Sequence, residues 1–227
     1  MNGATISADI ISYTSLSSID KRNIENEIKN LLVLLSEKYK KDKFFGRIIQ
    51  GDYIECAIEQ SKNALRIALL LKTYIKSIEL QDKSNTKGVK YFKEHAIRLA
   101  VAVASISTID PEKGIIDGEA IYLSGRAIKD YSTSNKQKIV IKNTMYFCSE
   151  NKSVYDQFDT IFSLLDTIIS RCSAKQCQVI YLRLLGLSEN EISKKLNKNQ
   201  STISQHTTAA GWGSIDKSVK YFENNID

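Results

Sequence analysis

The chain has 227 residues, enough for two modest domains or one large one. Its net charge of +6 and pI near 9.0 mildly favour an anionic partner. No apolar run approaches the ~20 residues of a membrane span, and no charged-then-apolar signal segment opens the chain, so the expectation is a cytoplasmic protein with no membrane partner.

From Thr5 to Ile11, alternation places Ile6, Ala8 and Ile10 on one face, the period of a strand. Asp20 to Tyr39 switches to helical spacing, with Ile24, Ile28, Leu31, Leu32 and Leu35 forming an apolar stripe. Phe45 to Ile49 and Tyr53 to Ile58 read as two strands joined at Gln50-Gly51-Asp52, whose glycine suits a tight hairpin. Asn63 to Ile78 is helical again, through Leu65, Ala68, Leu69, Leu71, Lys72 and Ile75. Asp82 to Glu94 is polar and lysine-rich and reads as an exposed loop, and Ile97 to Ile106 as a buried strand. Pro111, the only proline, falls in the loop before a helix over Gly118 to Tyr131, and Lys138 to Lys142 makes a last strand.

The resulting order, βαββαβ followed by αβ, is the ferredoxin-like split arrangement, with its sheet covered by helices on one side. Around Asn143 to Asn151 the pattern lapses, and everything beyond reads as helical. The expected fold class is therefore α+β, with an α/β domain over residues 1–148 and an all-α domain over 149–227. Four scattered cysteines, Cys56, Cys148, Cys172 and Cys177, lie in apolar segments; Cys172 and Cys177 would lie more than one turn apart on a helix. Their spacing does not suit zinc, and buried, reduced thiols are expected.

The C-terminal part carries the clearest motif. Ala174 to Leu185 is amphipathic and closed by Gly186; Ser188 can cap a short helix with Ile192 and Leu196 on one face. A polar turn, Asn197 to Asn199, precedes a second helix offering Gln200, Ser201, Thr202, Gln205 and His206 to solvent. That is the pattern of a helix-turn-helix, in which the second helix lays polar side chains on base edges in the major groove. Between Lys175 and Lys220, seven lysines and arginines stand against three acids, a surplus suited to phosphate contacts. The segment Gly186-Leu187-Ser188-Glu189-Asn190-Glu191-Ile192 resembles the helix-turn-helix of bacterial response regulators and sigma-factor region four. The plain alternative is a three-helix packing module that touches no nucleic acid.

The front half carries a second resemblance. Ala8-Asp9-Ile10-Ile11-Ser12-Tyr13-Thr14 is similar to the opening of a class III nucleotide cyclase domain, and Gly51-Asp52 to that family's hairpin tip. Arg98-Leu99-Ala100-Val101 resembles its central strand, and Gly118-Glu119-Ala120-Ile121-Tyr122-Leu123-Ser124-Gly125-Arg126 its later helix. A SatD-like bacterial family looks closer still, since it joins such a domain to a C-terminal helix-turn-helix. The resemblance implies Asp9 and Asp52 as ligands of Mg²⁺ or Mn²⁺, Arg126 as a phosphate clamp, a nucleotide ligand and a homodimer. Three positions depart from the cyclase pattern: Tyr122 replaces the ribose-orienting Asn, while Ile48 and Ile115 replace the base-selecting residues. Those losses argue against a working cyclase, so no catalytic residue is assigned.

The expected function is transcriptional regulation. A catalytically degenerate, cyclase-like domain senses or dimerises, and the helix-turn-helix binds double-stranded DNA. Gln200, Ser201, Thr202, Gln205 and His206 are the base-contact candidates, and Lys194, Lys195 and Lys198 the phosphate candidates. Two alternatives stand: a metal-dependent nucleotide cyclase or nucleotidyl enzyme, and a module whose C-terminal helices bind another protein.

Overall fold

A computed structural model describes residues 2–134 and 143–226. The first strand, β1 (Asn2–Ile10), leads into helix α1 (Ser18–Lys38), which starts where Ser17 accepts the Asp20 N–H. Strands β2 (Phe45–Ile49) and β3 (Tyr53–Ile58) form the expected hairpin, with Gln50 and Gly51 both at positive φ. Helix α2 (Ala64–Ser77), a short helix α3 (Lys87–His95) and strand β4 (Ile97–Ser105) follow. Next come a small hairpin, β5 (Thr108–Asp110) with β6 (Ile115–Asp117), helix α4 (Glu119–Ser134) and strand β7 (Met145–Ser149). Five helices complete the chain: α5 (Lys152–Arg171), α6 (Ala174–Leu184), α7 (Glu189–Leu196), α8 (Gln200–Ala209) and α9 (Trp212–Asn225).

The main sheet has the order β2-β3-β1-β4-β7. Its first four strands are antiparallel neighbours, the ferredoxin-like order, and β7 adds parallel to β4 through the α4 crossover. Ile6, Ala8, Ile54, Leu99 and Val101 project from one face into a core shared with α1 and α2. The opposite face is covered as well, contrary to the one-sided arrangement expected. Helix α4 lies on it, where the Ser124 hydroxyl bonds those of Thr5 (3.0 Å) and Ser7 (2.8 Å).

Four local expectations are corrected or refined. Residues 87–95 form α3, because Thr86 caps a turn whose Val89 and Phe92 are buried among the lysines. The Pro111 loop is the tip of the β5–β6 hairpin. The strand after α4 that the structure describes is β7, inside the stretch where the pattern lapsed; the expected strand over Lys138 to Lys142 lies outside the described residues. Cys172 and Cys177 are likewise not on one helix. The chain turns between them at Ser173, and the Cys172 thiol donates to the Ile168 carbonyl at 3.3 Å.

The two halves share one apolar core, in which α6 packs on α2. Phe147 of β7 meets Phe158 and Phe162 of α5 and Phe222 of α9, with ring centroids 5.1–6.1 Å from it. Two lysines one turn apart on α2 supply the polar part of the seam. Fully buried Lys72 approaches Asp166 of α5 at 3.3 Å and donates to the Thr144 hydroxyl (2.6 Å) and the carbonyls of Ile97 (3.0 Å) and His95 (3.3 Å). Lys76 donates to the carbonyls of Ile169 (2.8 Å) and Ser170 (2.7 Å), satisfying the C-terminal end of α5. Burial works against the Asp166 carboxylate, yet the Lys72 ammonium and the Thr144 hydrogen bonds hold it below its usual range. Burial draws the Lys72 ammonium down, against the pull of Asp166.

Replacing Asp166 by Asn keeps an acceptor for Thr144 but leaves a buried ammonium without its counter-charge. Asp166→Asn is expected to cost about 3–5 kcal/mol at pH 7, measured by urea unfolding. The unfolded chain then binds a proton that the folded chain holds weakly, so the variant's stability should rise with pH toward the ordinary lysine range. A cost below about 1 kcal/mol with no added pH slope would show the pair to be dispensable.

Candidate functional site

The α7–turn–α8 unit is assembled from local signals. Ser188 and Glu191 form a capping box: the Glu191 N–H donates to Ser188 Oγ (3.3 Å), and the Ser188 N–H to Glu191 Oε2 (2.7 Å). Asn197, at φ 49°, ends α7 in the left-handed conformation, and the Lys198 N–H returns to the Ser193 carbonyl at 3.0 Å. Gln200 Nε2 donates to Glu189 Oε2 (2.9 Å), tying the start of α8 to the start of α7. Ile203, Thr207 and Ala210 point inward and seat α8 against α6 and α7.

Each DNA-contact candidate has a definite place. Lys194, Lys195 and Lys198 are all exposed around the turn. Gln200, Ser201 and Gln205 are exposed along α8, whereas Thr202 and His206 are half-buried at its flanks. The outward stripe consists of Gln200, Ser201, Ser204, Gln205 and Thr208, and ends at Ala209. Ser204 and Thr208 were missed by the sequence reading. Helical spacing from Ser201 would have found them, since i, i+3, i+4 and i+7 share a face.

The strand-end carboxylates form a different kind of site. Asp9, Tyr53 and Arg98 occupy facing positions on β1, β3 and β4, and the Asp52 carbonyl accepts the Ile10 N–H (3.0 Å) at the same end of the sheet. Arg98 Nη1 reaches Asp9 Oδ2 at 3.2 Å; Asp9 Oδ1 is buried without a partner among the described residues. Burial raises the Asp9 pKa above the ordinary carboxylate range, Arg98 opposes the rise, and the charge of Asp52 adds to it.

Within the chain, Arg126 stands apart from these carboxylates. It is exposed on α4 and lines a cleft with Arg47, Glu55, Tyr122 and Lys129, and among the described residues no ion pair joins it to Asp9 or Asp52. Tyr122 is also exposed and donates to Asp117 (3.1 Å). Ile48 packs at the edge of the core, while Arg47 on the other face grips Glu55 through Nε (3.0 Å) and Nη2 (2.6 Å). The motif glycines have structural reasons of their own. Gly51 holds φ 81° in the hairpin, and a Cβ on Gly118 would lie 2.7 Å from the Ser105 carbonyl oxygen.

Asp9 and Asp52 bring two carboxylates to this end of the sheet; among the described residues no cluster of three or more His, Cys, Asp and Glu is present, and the Arg98 guanidinium sits beside Asp9.

No protein-family model matches the chain, and no curated protein matches it. Among solved structures it is similar to two of a bacterial light-regulated adenylyl cyclase, at 10% identity and TM-scores of 0.44 and 0.41, with 65% of this chain and 43% of that chain covered. It is also similar to the guanylyl cyclase Cya2, at 13% identity and a TM-score of 0.37, over 63% of this chain and 80% of that chain. The chain thus spans less than half the length of the light-regulated cyclase. Among the described residues no helix is long and apolar enough to cross a membrane.

Removing the guanidinium tests the Asp9 site. Arg98→Met should destabilise by about 1–3 kcal/mol at pH 7, less than a fully buried pair because Asp9 keeps some solvent contact. Without Arg98 the folded-state pKa of Asp9 rises further, so the folded chain binds more protons than the unfolded one and stability falls as pH rises. The deficit relative to the parent should therefore shrink between pH 7 and pH 5; a deficit independent of pH would remove Asp9 from the account.

Proposed function

We propose that the chain is a DNA-binding transcriptional regulator whose α7–α8 unit docks on duplex DNA, with the cyclase-like front half serving as its sensing or dimerising scaffold. The observation that carries this reading is the polar stripe of α8, flanked by three exposed lysines at the turn and seated by an apolar inner face. Polar side chains on a supported helix suit base edges, and lysines at its approach suit phosphates. Ser201, Ser204, Gln205 and Thr208 are the base-reading set; Gln200 serves first as a brace to Glu189. A homodimer would present two such helices to half-sites one or more turns apart.

Replacing Lys194, Lys195 and Lys198 together by Ala should weaken binding to all duplexes. The slope of log K against log salt should shrink by up to about one per lost phosphate contact. Gln205→Ala should instead relax preference at one base position by about 1–3 kcal/mol and spare nonspecific binding. Mobility shifts at two salt concentrations check the first, and selection from a randomised duplex pool checks the second. Unchanged affinity and slope in the triple variant would contradict the reading.

One observation favours a second reading, a metal-dependent nucleotide cyclase or other nucleotidyl enzyme: Asp9 and Asp52 stand at the same end of the sheet, and Asp9 Oδ1 is buried without a partner among the described residues. That reading requires Arg98 to leave Asp9. Incubation with ATP or GTP and Mn²⁺ decides it: cyclic product lost in Asp9→Ala supports the enzyme, and absence of product contradicts it.

A further inference from the structure

Helix α1 and strand β2 border an open groove of about 740 Å³, at the edge of the main sheet opposite β7. Its lining is largely apolar: Leu32 and Val33 of α1, Phe44, Phe45 and Ile48 around β2, and Pro111 from the tip of the β5–β6 hairpin. Val33 is 61% exposed, and its neighbour Leu34 is exposed as well. Contiguous apolar surface of this kind marks a contact site. Beside it, β2 pairs only with β3 among the described residues, so its outer backbone groups form an open edge. Proteins protect such edges by, among other means, laying a helix over them.

The charges on the rim decide which helix that is. Lys29, Val33 and Glu37 follow one another at four-residue spacing, so they share one stripe of α1, with the two charges about 12 Å apart along its axis. Both charged residues are exposed, and neither has an ion-pair partner among the described residues. Arg47, also on the rim, is held by Glu55 and the Gly114 carbonyl. The rim is thus of mixed sign and suits neither a polyanion nor a polycation. It suits itself in one orientation. A twofold axis through Val33, with two α1 helices antiparallel, puts Lys29 of each copy against Glu37 of the other. A parallel pairing would set lysine on lysine and glutamate on glutamate.

We infer that this groove is the contact surface of a homodimer, in which the α1 helix of a second copy lies antiparallel along α1. Val33 and Leu34 of each copy close the groove of the other, and two Lys29–Glu37 pairs flank them. The arrangement is isologous, because each copy offers the same patch and each charge finds its opposite. The second helix also shields the open edge of β2. Such a dimer would supply the paired α8 helices that DNA half-sites require, but the contact belongs to the front half alone and forms without DNA.

The test is sedimentation equilibrium of the full chain without DNA. The expected result is concentration-dependent association to twice the 25.6 kDa mass of the chain. Val33→Asp changes a side chain that is exposed in the single chain, so it should keep the circular dichroism of the parent and weaken association about tenfold or more. Lys29→Glu alone and Glu37→Lys alone should each weaken self-association about tenfold, since like charges then face each other across the axis. Mixing these two variants should restore association, because one chain then carries two acids on the stripe and the other two lysines. Lys175→Glu reverses an exposed charge on α6 and should leave association unchanged. A parent chain that stays monomeric at every concentration leaves the groove to a different protein and overturns the inference. So does a dimer indifferent to Val33→Asp, or a mixture of the two charge variants that associates no more tightly than either alone.

Discussion

The architecture depends on a buried charge pair. Lys72 stands on the apolar stripe of α2 with no exposed surface, and only Asp166 and a ring of oxygens make that tolerable. Because an unpaired ammonium in the interior is prohibitive, α5 must lie where Asp166 reaches Lys72, and the segment before β7 must deliver Thr144 to both. Lys76, one turn later, fixes the end of the same helix through its carbonyls. The non-directional contacts of the Phe147 cluster add area to this seam, but the ion pair sets its register.

From that constraint the presentation of α8 follows. Helix α5 leads into the capped start of α6, α6 packs on α2, and α7 and α8 pack on α6. The polar stripe is thus held by the sheet half through a continuous core, not hung on a linker. A rigid mount reduces the entropy lost when side chains meet a partner, which supports the proposed use of directional polar contacts.

Local signals made much of this legible in the sequence, and tertiary ones did not. The Gln50-Gly51 turn, the stripe Ile24 to Leu35 and the Ser188 cap each act within a few residues, and each element stands where its pattern placed it. Helix α3 was hidden because its lysines outnumber its two buried apolar side chains, Val89 and Phe92. Strand β7 was hidden because its few residues are flanked by Asn143 and Asn151, which read as turn. Lys72 stands in the α2 series in the sequence, but its partner lies 94 residues away and only the fold reveals it. The pairing of Arg98 with Asp9 is of the same kind, a consequence of β1–β4 register.

Amide hydrogen exchange of the full chain, with and without duplex DNA of mixed sequence at low salt, tests the central claim most directly. The account predicts slowed exchange in peptides covering Glu189 to Ala209, with the strands of the main sheet unchanged. Exchange that DNA leaves unaltered throughout, or protection confined to the sheet half, would contradict it.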